Sequence, residues 1–404
     1  MALSNTSERY GGVAKSFHWL TALLILTLIP LGVIANNLPY ETDAQLAQKA
    51  WLFSLHKTLG VTAFFVAALR ILWALSQPKP GLLNAEKKAE SFAAEVVHWL
   101  LYGALVIVPL SGWISHAAAA GFAPIWWPFG QGLPLVPKSV AVEHFFVAVH
   151  FVSTKVLAAA VLLHIAGAIK HHVIDKDATL RRMLPGAAAL PALPAQNHSR
   201  VPLVAASVVW AAALALSAAL ASGHEKAAGP TVALEEVSSD WTVQDGSIEI
   251  TVVQFGSEVS GSFADWTAAI TFDETLTTAE VGSVTTTIAI PSLTLGSVTQ
   301  QAMGPDFFDA TTHATAVFDA VILNAEDGVY RAAGALTLKG ASVPVELPFT
   351  LMITEDTAQM QGRLTLDRRA FGIGDNVGDE ASLVFNVEVS IALTATRGGE
   401  AAAE

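Results

Sequence analysis

VEHFFVAVHFVSTKVLAAAVLLHIAGAI, residues 142–169, decides the fold of the chain's first half. Crossing the hydrocarbon core of a bilayer takes about 20 residues of helix, and this apolar stretch exceeds that. Its two buried-type histidines, His150 and His164, are 14 residues apart. That spacing is about 21 Å of helical rise, and the accumulated rotation leaves the two side chains about 40° apart around the axis. One helix therefore carries two histidines on one face at two depths. An ionisable side chain inside a membrane span is expensive, and its default reading is functional.

Four further stretches are long and apolar enough to span: Phe17–Asn36, Leu52–Leu75, Ala93–Ala117 and Val201–Ala221. The first lacks the small-residue cleavage site of a secretory signal and is expected to stay in the membrane. Lys and Arg cluster at the N-terminus (Arg9, Lys15), between the second and third spans (Lys79, Lys87, Lys88) and after the fourth (Lys170, Lys176, Arg181, Arg182, Arg200). The other two connections carry Lys49 and Lys138. By the positive-inside rule the N-terminus is expected in the cytoplasm. The Pro/Ala-rich stretch Pro185–Pro194 reads as a linker, and the fifth span sends everything after about Ser222 outside, into the periplasm of a Gram-negative bacterium.

Composition agrees with a divided chain. Of 404 residues, 52% are hydrophobic and 14% charged, with a mean hydropathy of +0.49; a soluble domain is about 25% charged. The net charge of −13 is split: residues 1–229 hold 16 Lys+Arg against 10 Asp+Glu, whereas residues 230–404 hold 6 against 25. The acidic half argues against nucleic acid as a partner. The chain has no Cys, which removes disulfides, thiolate chemistry, Cys-ligated clusters and covalent c-type haem. Histidines and carboxylates remain as candidate ligands.

Depth sorts the histidines. His18 opens the first span at its cytoplasmic end and His56 opens the second at its outer end. In a bundle of alternating direction His56 meets the level of His150, and His18 that of His164. Two facing pairs, one near each membrane surface, are what two stacked bis-histidine haems require. The alternative for each histidine is a helix cap or a hydrogen-bonded core residue. Gly32 and Gly60 would let a flat macrocycle approach the helices, or serve helix packing alone. Arg70, deep towards the cytoplasmic end, reads as a partner for a haem propionate or as a snorkelling cation. His98 and His116, in a third span without a depth-matched partner, read as weak ligand sources, and His144 lies near an interface. His171 and His172, beside Lys170, would hydrogen-bond a quinone carbonyl or relay protons, or only mark topology.

The second half changes period. Thr242–Val253, Val284–Ile290, Ala314–Leu323, Tyr330–Leu338, Val343–Ile353, Gln359–Asp367 and Leu383–Thr394 alternate or are rich in Val, Thr, Ile and Phe, and Gly, Asp and Pro punctuate them. Short strands at this spacing predict an all-β antiparallel barrel or sandwich, ending in a frayed Gly398–Glu404. One histidine and no clustered metal-ligand spacing leave this half without a catalytic constellation. Its apolar inward positions suit either a hydrophobic ligand cavity or an ordinary filled core.

Several motifs carry family resemblances. Ser16-Phe17-His18-Trp19, Leu55-His56-Lys57-Thr58-Leu59-Gly60, His98-Trp99-Leu100-Leu101-Tyr102, Leu163-His164, and the ending His171-His172 with Asp175-Lys176-Asp177 and Leu180-Arg181-Arg182-Met183-Leu184 resemble the bacterial cytochrome b561 family of four-helix dihaem membrane proteins. The resemblance covers about residues 9–185 and implies two b-type haems with His18, His56, His150 and His164 as ligands. It also implies electron exchange between a periplasmic-side donor, superoxide in some members, and ubiquinone. In the second half Ser257–Phe263, Gly304-Pro305-Asp306-Phe307-Phe308-Asp309, Gly334–Gly340 and Leu366–Gly374 resemble the YceI-like family of lipocalin-like barrels. That resemblance, over about residues 240–395, implies binding of a polyisoprenoid such as a quinone tail, with Phe307, Phe308 and Phe371 as tunnel-lining candidates. Val243–Ser247 stands where the family has a charged turn after its opening Trp.

The expected organisation is a membrane all-α four-helix dihaem bundle over 9–185, a linker and fifth transmembrane helix over 186–229, and an all-β antiparallel lipocalin-like barrel over 230–398. The expected function is membrane electron transfer, from a donor such as superoxide through the outer pair and then the inner pair to ubiquinone near His171. Expected partners are the lipid bilayer, ubiquinone or another isoprenoid, and a periplasmic donor. Two alternatives stand beside it: an isoprenoid carrier or sensor anchored by the membrane half, and a haem subunit of a separate dehydrogenase.

Overall fold

The computed structural model describes residues 2–40, 42–119, 123–185, 199–225, 234–235, 237–296, 298–326 and 328–398. Apart from Pro185, the expected linker Pro185–Pro194 lies outside the described residues, as does the C-terminal stretch beyond Gly398. Two compact units emerge, one of Met1–Leu38, Trp51–Ala119 and Pro124–Lys226, the other of Pro39–Ala50, Ala120–Ala123 and Ala227–Glu404.

Five long helices carry the first half: α1 (Gly12–Asn37), α2 (Asp43–Leu75), α3 (Lys88–Ala118), α4 (Val140–Val173) and α5 (Val201–Glu225). All five are long and apolar enough to cross a membrane, and each of the five expected spans falls within one of them. They are apolar on every side, as helices in lipid are. Leu23, Leu26, Val33, Leu69, Leu72, Phe151, Leu162 and Val208 are exposed on their outer faces. Small residues set the helix approach inside. A Cβ at Gly103 would stand 2.3 Å from the Trp210 indole nitrogen, so only glycine admits α5 against α3 there. Trp210 is buried with Ala104, Val152, Leu157 and Ala213.

Beyond α4 the chain folds back over the end of the bundle that carries the N-terminus. Buried Arg182 donates to Gly81 O at 2.9 Å and Glu8 O at 2.8 Å. Lys15 Nζ and Trp19 Nε1 reach Leu184 O and Met183 O, both at 2.8 Å. These bonds satisfy carbonyls of the segments before α1, between α2 and α3 and after α4, which no helix pairs.

The second half is a curled antiparallel sheet of β1 (Trp241–Gln254), β2 (Ser257–Phe263), β3 (Trp266–Phe272), β4 (Glu280–Ala289), β5 (Leu293–Thr294), β6 (Thr315–Glu326), β7 (Val329–Leu338), β8 (Ala341–Thr354), β9 (Thr357–Asp367) and β10 (Asn386–Arg397). A one-turn helix, α6 (Thr299–Ala302), follows β5. The strand order is β3-β4-β6-β7-β8-β9-β10-β1-β2-β5. The curl brings β3 to the start of β1, where Asp240 N–H donates to Ile270 O at 2.9 Å and Trp241 Nε1 to Phe272 O at 3.1 Å. Strand β8 shows the pleat cleanly: Val343, Val345, Leu347, Phe349, Leu351 and Ile353 turn inward while every residue between them is exposed.

Seven expected strands are present. β2, β3 and the two-residue β5 lie outside the expected strands; in β2 only Val259 and Phe263 are fully buried among Ser, Glu and Gly. Val243–Ser247 lies within the expected strand Thr242–Val253. It continues β1 against β10, with a register shift between Val243 and Asp245. Gly246 is required there, since a Cβ would stand 2.8 Å from the Trp266 ring and 2.9 Å from Ala392 O.

Candidate functional site

The helices bring the four depth-matched histidines together in two cross-helix pairs. His18 on α1 faces His164 on α4 with ring centroids 6.0 Å apart. His56 on α2 faces His150 on α4 at 6.4 Å. Two imidazoles bound to one metal, each by a nitrogen about 2.0 Å away, have centroids roughly 6.3 Å apart. Both separations therefore fit a single iron between the rings. The surroundings of the second pair fit too. The His150 Nδ1–H donates to Val108 O at 2.9 Å, which leaves Nε2 to coordinate, the usual device for orienting a ligating histidine. A Cβ at Gly32 would lie 2.9 Å from His56 Cε1, and one at Gly112 would lie 3.0 Å from His150. A Cβ at Gly60 would meet nothing within 4 Å.

The first pair has a third member. His98 on α3 lies against His164 with centroids 5.1 Å apart. Arg70 acts electrostatically on His18, His98 and His164 and lies 6.0 Å over the Tyr102 ring, so it belongs to this level of the bundle, as its depth predicted.

Each end of the bundle adds a polar cluster. Next to the His18 end, His171 Nδ1 stands 2.8 Å from Asp177 and 3.0 Å from Asp175. Burial opposes ionisation of Asp177, but bonds from Thr179, Asn84 and His171 outweigh it and hold the carboxyl at about 2. Asp175 is likewise held below the usual carboxylate range, chiefly by the Lys170 ammonium. With carboxylates on Nδ1, the tautomer leaves Nε2 of His171 available to a substrate. Glu90, His171 and Asp175 have the spacing of a metal site, but Lys170 already bridges Glu90 at 2.8 Å and Asp175 at 2.9 Å.

At the other end Lys57, the residue after His56, places Nζ 3.3 Å from His116 Nδ1. His116 Nε2 in turn donates to Gln131 Oε1 at 2.9 Å. Lys57 and Lys138 both act electrostatically on buried Glu143. Lysine can only donate, so the chain sets the His116 tautomer with its proton on Nε2.

In the β unit two apolar cavities of about 150 and 160 Å³ lie inside the curled sheet. Ile248, Ile288, Leu336, Leu366 and Val389 line both. Phe307, Phe308 and Phe371 line the first, as expected of them. Arg368 also borders it, 3% exposed. Its guanidinium donates to Ile373, Gly374, Val377, Leu383 and Val384 carbonyls.

Residues 9–186 match the family model for prokaryotic cytochrome b561, and residues 241–391 match that for the YceI-like domain. Cytochrome b561 homolog 2 of Escherichia coli (strain K12) is 30% identical over 187 residues, 46% of this chain and 95% of the relative. The chain belongs to the prokaryotic cytochrome b561 family and carries a YceI-like domain. Probable superoxide oxidase CybB of Yersinia pestis is 24% identical over 179 residues, 44% of this chain and 97% of the relative. Among solved structures, Burkholderia cenocepacia BcnA is 30% identical, covering 37% of this chain and 96% of that one, with a TM-score of 0.35.

This cytochrome b561 family member is thus a multi-pass membrane protein of the bacterial inner membrane, and the family binds b-type haem. The structure gathers His18, His56, His150, His164 and Arg70 within the bundle and keeps His171 at one end. His98 and the Lys57–His116–Gln131 chain escaped the depth argument. His98 sits seven residues before Leu105 in a span that lacks a second histidine at its level, and only the packing of α3 on α4 reveals its contact. The motif His98-Trp99 was a signal that pattern alone left uninterpreted.

Proposed function

We propose that this protein is a dihaem electron-transfer cytochrome that moves electrons from a periplasmic-side donor to ubiquinone, and that its barrel binds an isoprenoid. The observation that carries the reading is the pair of imidazole separations, 6.0 and 6.4 Å, on one helix whose two histidines differ in depth by about 21 Å. His18 and His164 would hold one b-type haem, His56 and His150 the other. Each haem, when bound by its two histidines, would supply a one-electron acceptor and donor.

The chain's own residues set the direction. With the N-terminus in the cytoplasm, the His56 end faces the periplasm. Lys57 and Lys138 bring cationic side chains to that end and suit a small anionic donor, superoxide being the first candidate given the name of the Yersinia relative. At the opposite end Arg70, which lies at the level of His18 and His164, would pair a haem propionate. His171, with Nδ1–H held by Asp177, would as the imidazolium donate its Nε2 proton to a ubiquinone oxygen as the electron arrives, and would take a proton back from water at that end of the bundle. Residues 9–185 would form the dihaem domain, 186–229 the linker and fifth helix, and 230–398 the periplasmic barrel.

Stopped-flow mixing of the purified oxidised protein with superoxide tests this directly. Reduction of a b-type absorbance, followed by reoxidation only when ubiquinone is present, is the expected result. A His171→Gln variant should keep the first phase and slow the second by about 10²-fold or more. Absence of b-type absorbance, or reduction only by a co-purifying dehydrogenase, would refute the proposal.

A further inference from the structure

Amide and guanidinium side chains line only the first of the two apolar cavities. The second cavity has Thr286 as its one hydroxyl-bearing lining residue among aliphatic and aromatic neighbours. The first adds Gln254, Gln301 and Arg368. Gln254, at the end of β1, is 4% exposed, and its Oε1 finds no hydrogen-bond partner among the described residues. The same holds for Nε2 of Gln301 on α6. A buried amide atom left unpaired is costly, so two in one cavity point to a ligand that pairs them.

Arg368 is different. A guanidinium has five N–H donors, and all five of its bonds go to backbone carbonyls of residues 373–384. It has no donor left for a ligand. A phosphate or carboxylate in this chamber would lose its water and find no free charged donor to replace it, which is costly. A hydroxyl or carbonyl faces no such penalty. It can accept from the Gln301 amide, and a hydroxyl can also donate to Gln254.

We infer that Gln254 and Gln301 form a headgroup site that selects an isoprenoid with a neutral oxygen head, a prenyl alcohol or quinone, and rejects prenyl phosphates. The apolar tail then lies in the chamber bounded by Phe272, Phe349 and Met360. This selection rests on the proposed isoprenoid binding by the barrel and adds to it the chemistry of the head.

The test uses the full-length protein in lipid nanodiscs and three diazirine-bearing prenyl probes of equal chain length, ending in an alcohol, a diphosphate or a plain methyl group. Labelled peptides are mapped by mass spectrometry. The wild type should label on barrel peptides about tenfold more strongly with the alcohol than with the diphosphate. In Gln254→Leu/Gln301→Leu the alcohol should fall to the level of the methyl-ended probe, whose own labelling reports that the chamber is intact. Equal or stronger labelling by the diphosphate overturns the inference, as does an alcohol preference that survives in the double variant; in both cases isoprenoid binding itself still stands. Failure of all three probes to label the barrel overturns the isoprenoid reading as well.

Discussion

Gly32→Ala is a single methyl group aimed at one half of the dihaem proposal. The new Cβ would lie 2.9 Å from His56 Cε1 and 3.2 Å from Nδ1. Carbon atoms in contact sit about 3.5–4.0 Å apart, so the imidazole must retreat by roughly 0.6 Å or more. Metal–nitrogen bonds tolerate about 0.2 Å, and the His56–His150 separation of 6.4 Å already matches one iron between the rings. The displaced ring therefore cannot stay bonded. The helix itself is not at risk, because alanine is favoured over glycine in a helix by about 1 kcal/mol. The haem-to-protein ratio of the purified variant, read from the reduced b-type absorbance, should drop from about two to about one. The remaining centre should have the potential of the His18–His164 site, identified in parallel in a His56→Ala variant. A ratio of two with both wild-type potentials would refute the assignment of His56 and the tight Gly32 contact together.

Three further outcomes follow from other contacts. Arg368→Leu strips five carbonyls of their donor in a buried loop and should destabilise the barrel by about 3 kcal/mol, measured as a lower midpoint for loss of β-type circular dichroism. Trp210→Ala should weaken the seat of α5 on α3 by about 3 kcal/mol. Gly103→Val, whose Cβ meets the indole at 2.3 Å, should have a similar effect; unfolding in mixed detergent reads both. The Asp177 carboxyl is held at about 2, below its ordinary 3.8. Its contribution to stability is therefore present above about pH 4 and is lost as the pH falls from about 4 towards 2. Asp177→Asn should flatten that limb of a melting-temperature profile, and an unchanged limb would show that the His171–Asp177–Thr179 contacts contribute nothing.

Much of the membrane half was legible because lipid leaves few choices. A backbone in hydrocarbon must pair its own polar groups, so long apolar stretches become helices, and helical rise converts sequence distance into depth. That is why His150 and His164, and their partners His18 and His56, were placed from numbering alone. The same reasoning was blind to rotation. Whether α3 turns His98 towards His164 or towards lipid depends on side-chain packing around four helices, and nothing in the spacing of that span records it. In the barrel the alternating strands stood out, whereas β2 did not, because its few inward residues are separated by Ser, Glu and Gly that any loop also uses.

Composition and period by themselves determined that five apolar spans precede a β domain, and that histidine is the available haem ligand in a chain without cysteine. Those conclusions rest on local rules: hydrophobic length, helical repeat and strand alternation. Tertiary structure alone decided which groups are left over. It assigned all five donors of Arg368 to carbonyls, left Gln254 and Gln301 with atoms facing an apolar chamber, tied His171 to two aspartates and brought His98 to the inner pair. Hydrogen bonding is short-ranged and directional, so whether a polar atom is satisfied or available depends on neighbours that only the folded chain brings within 3 Å.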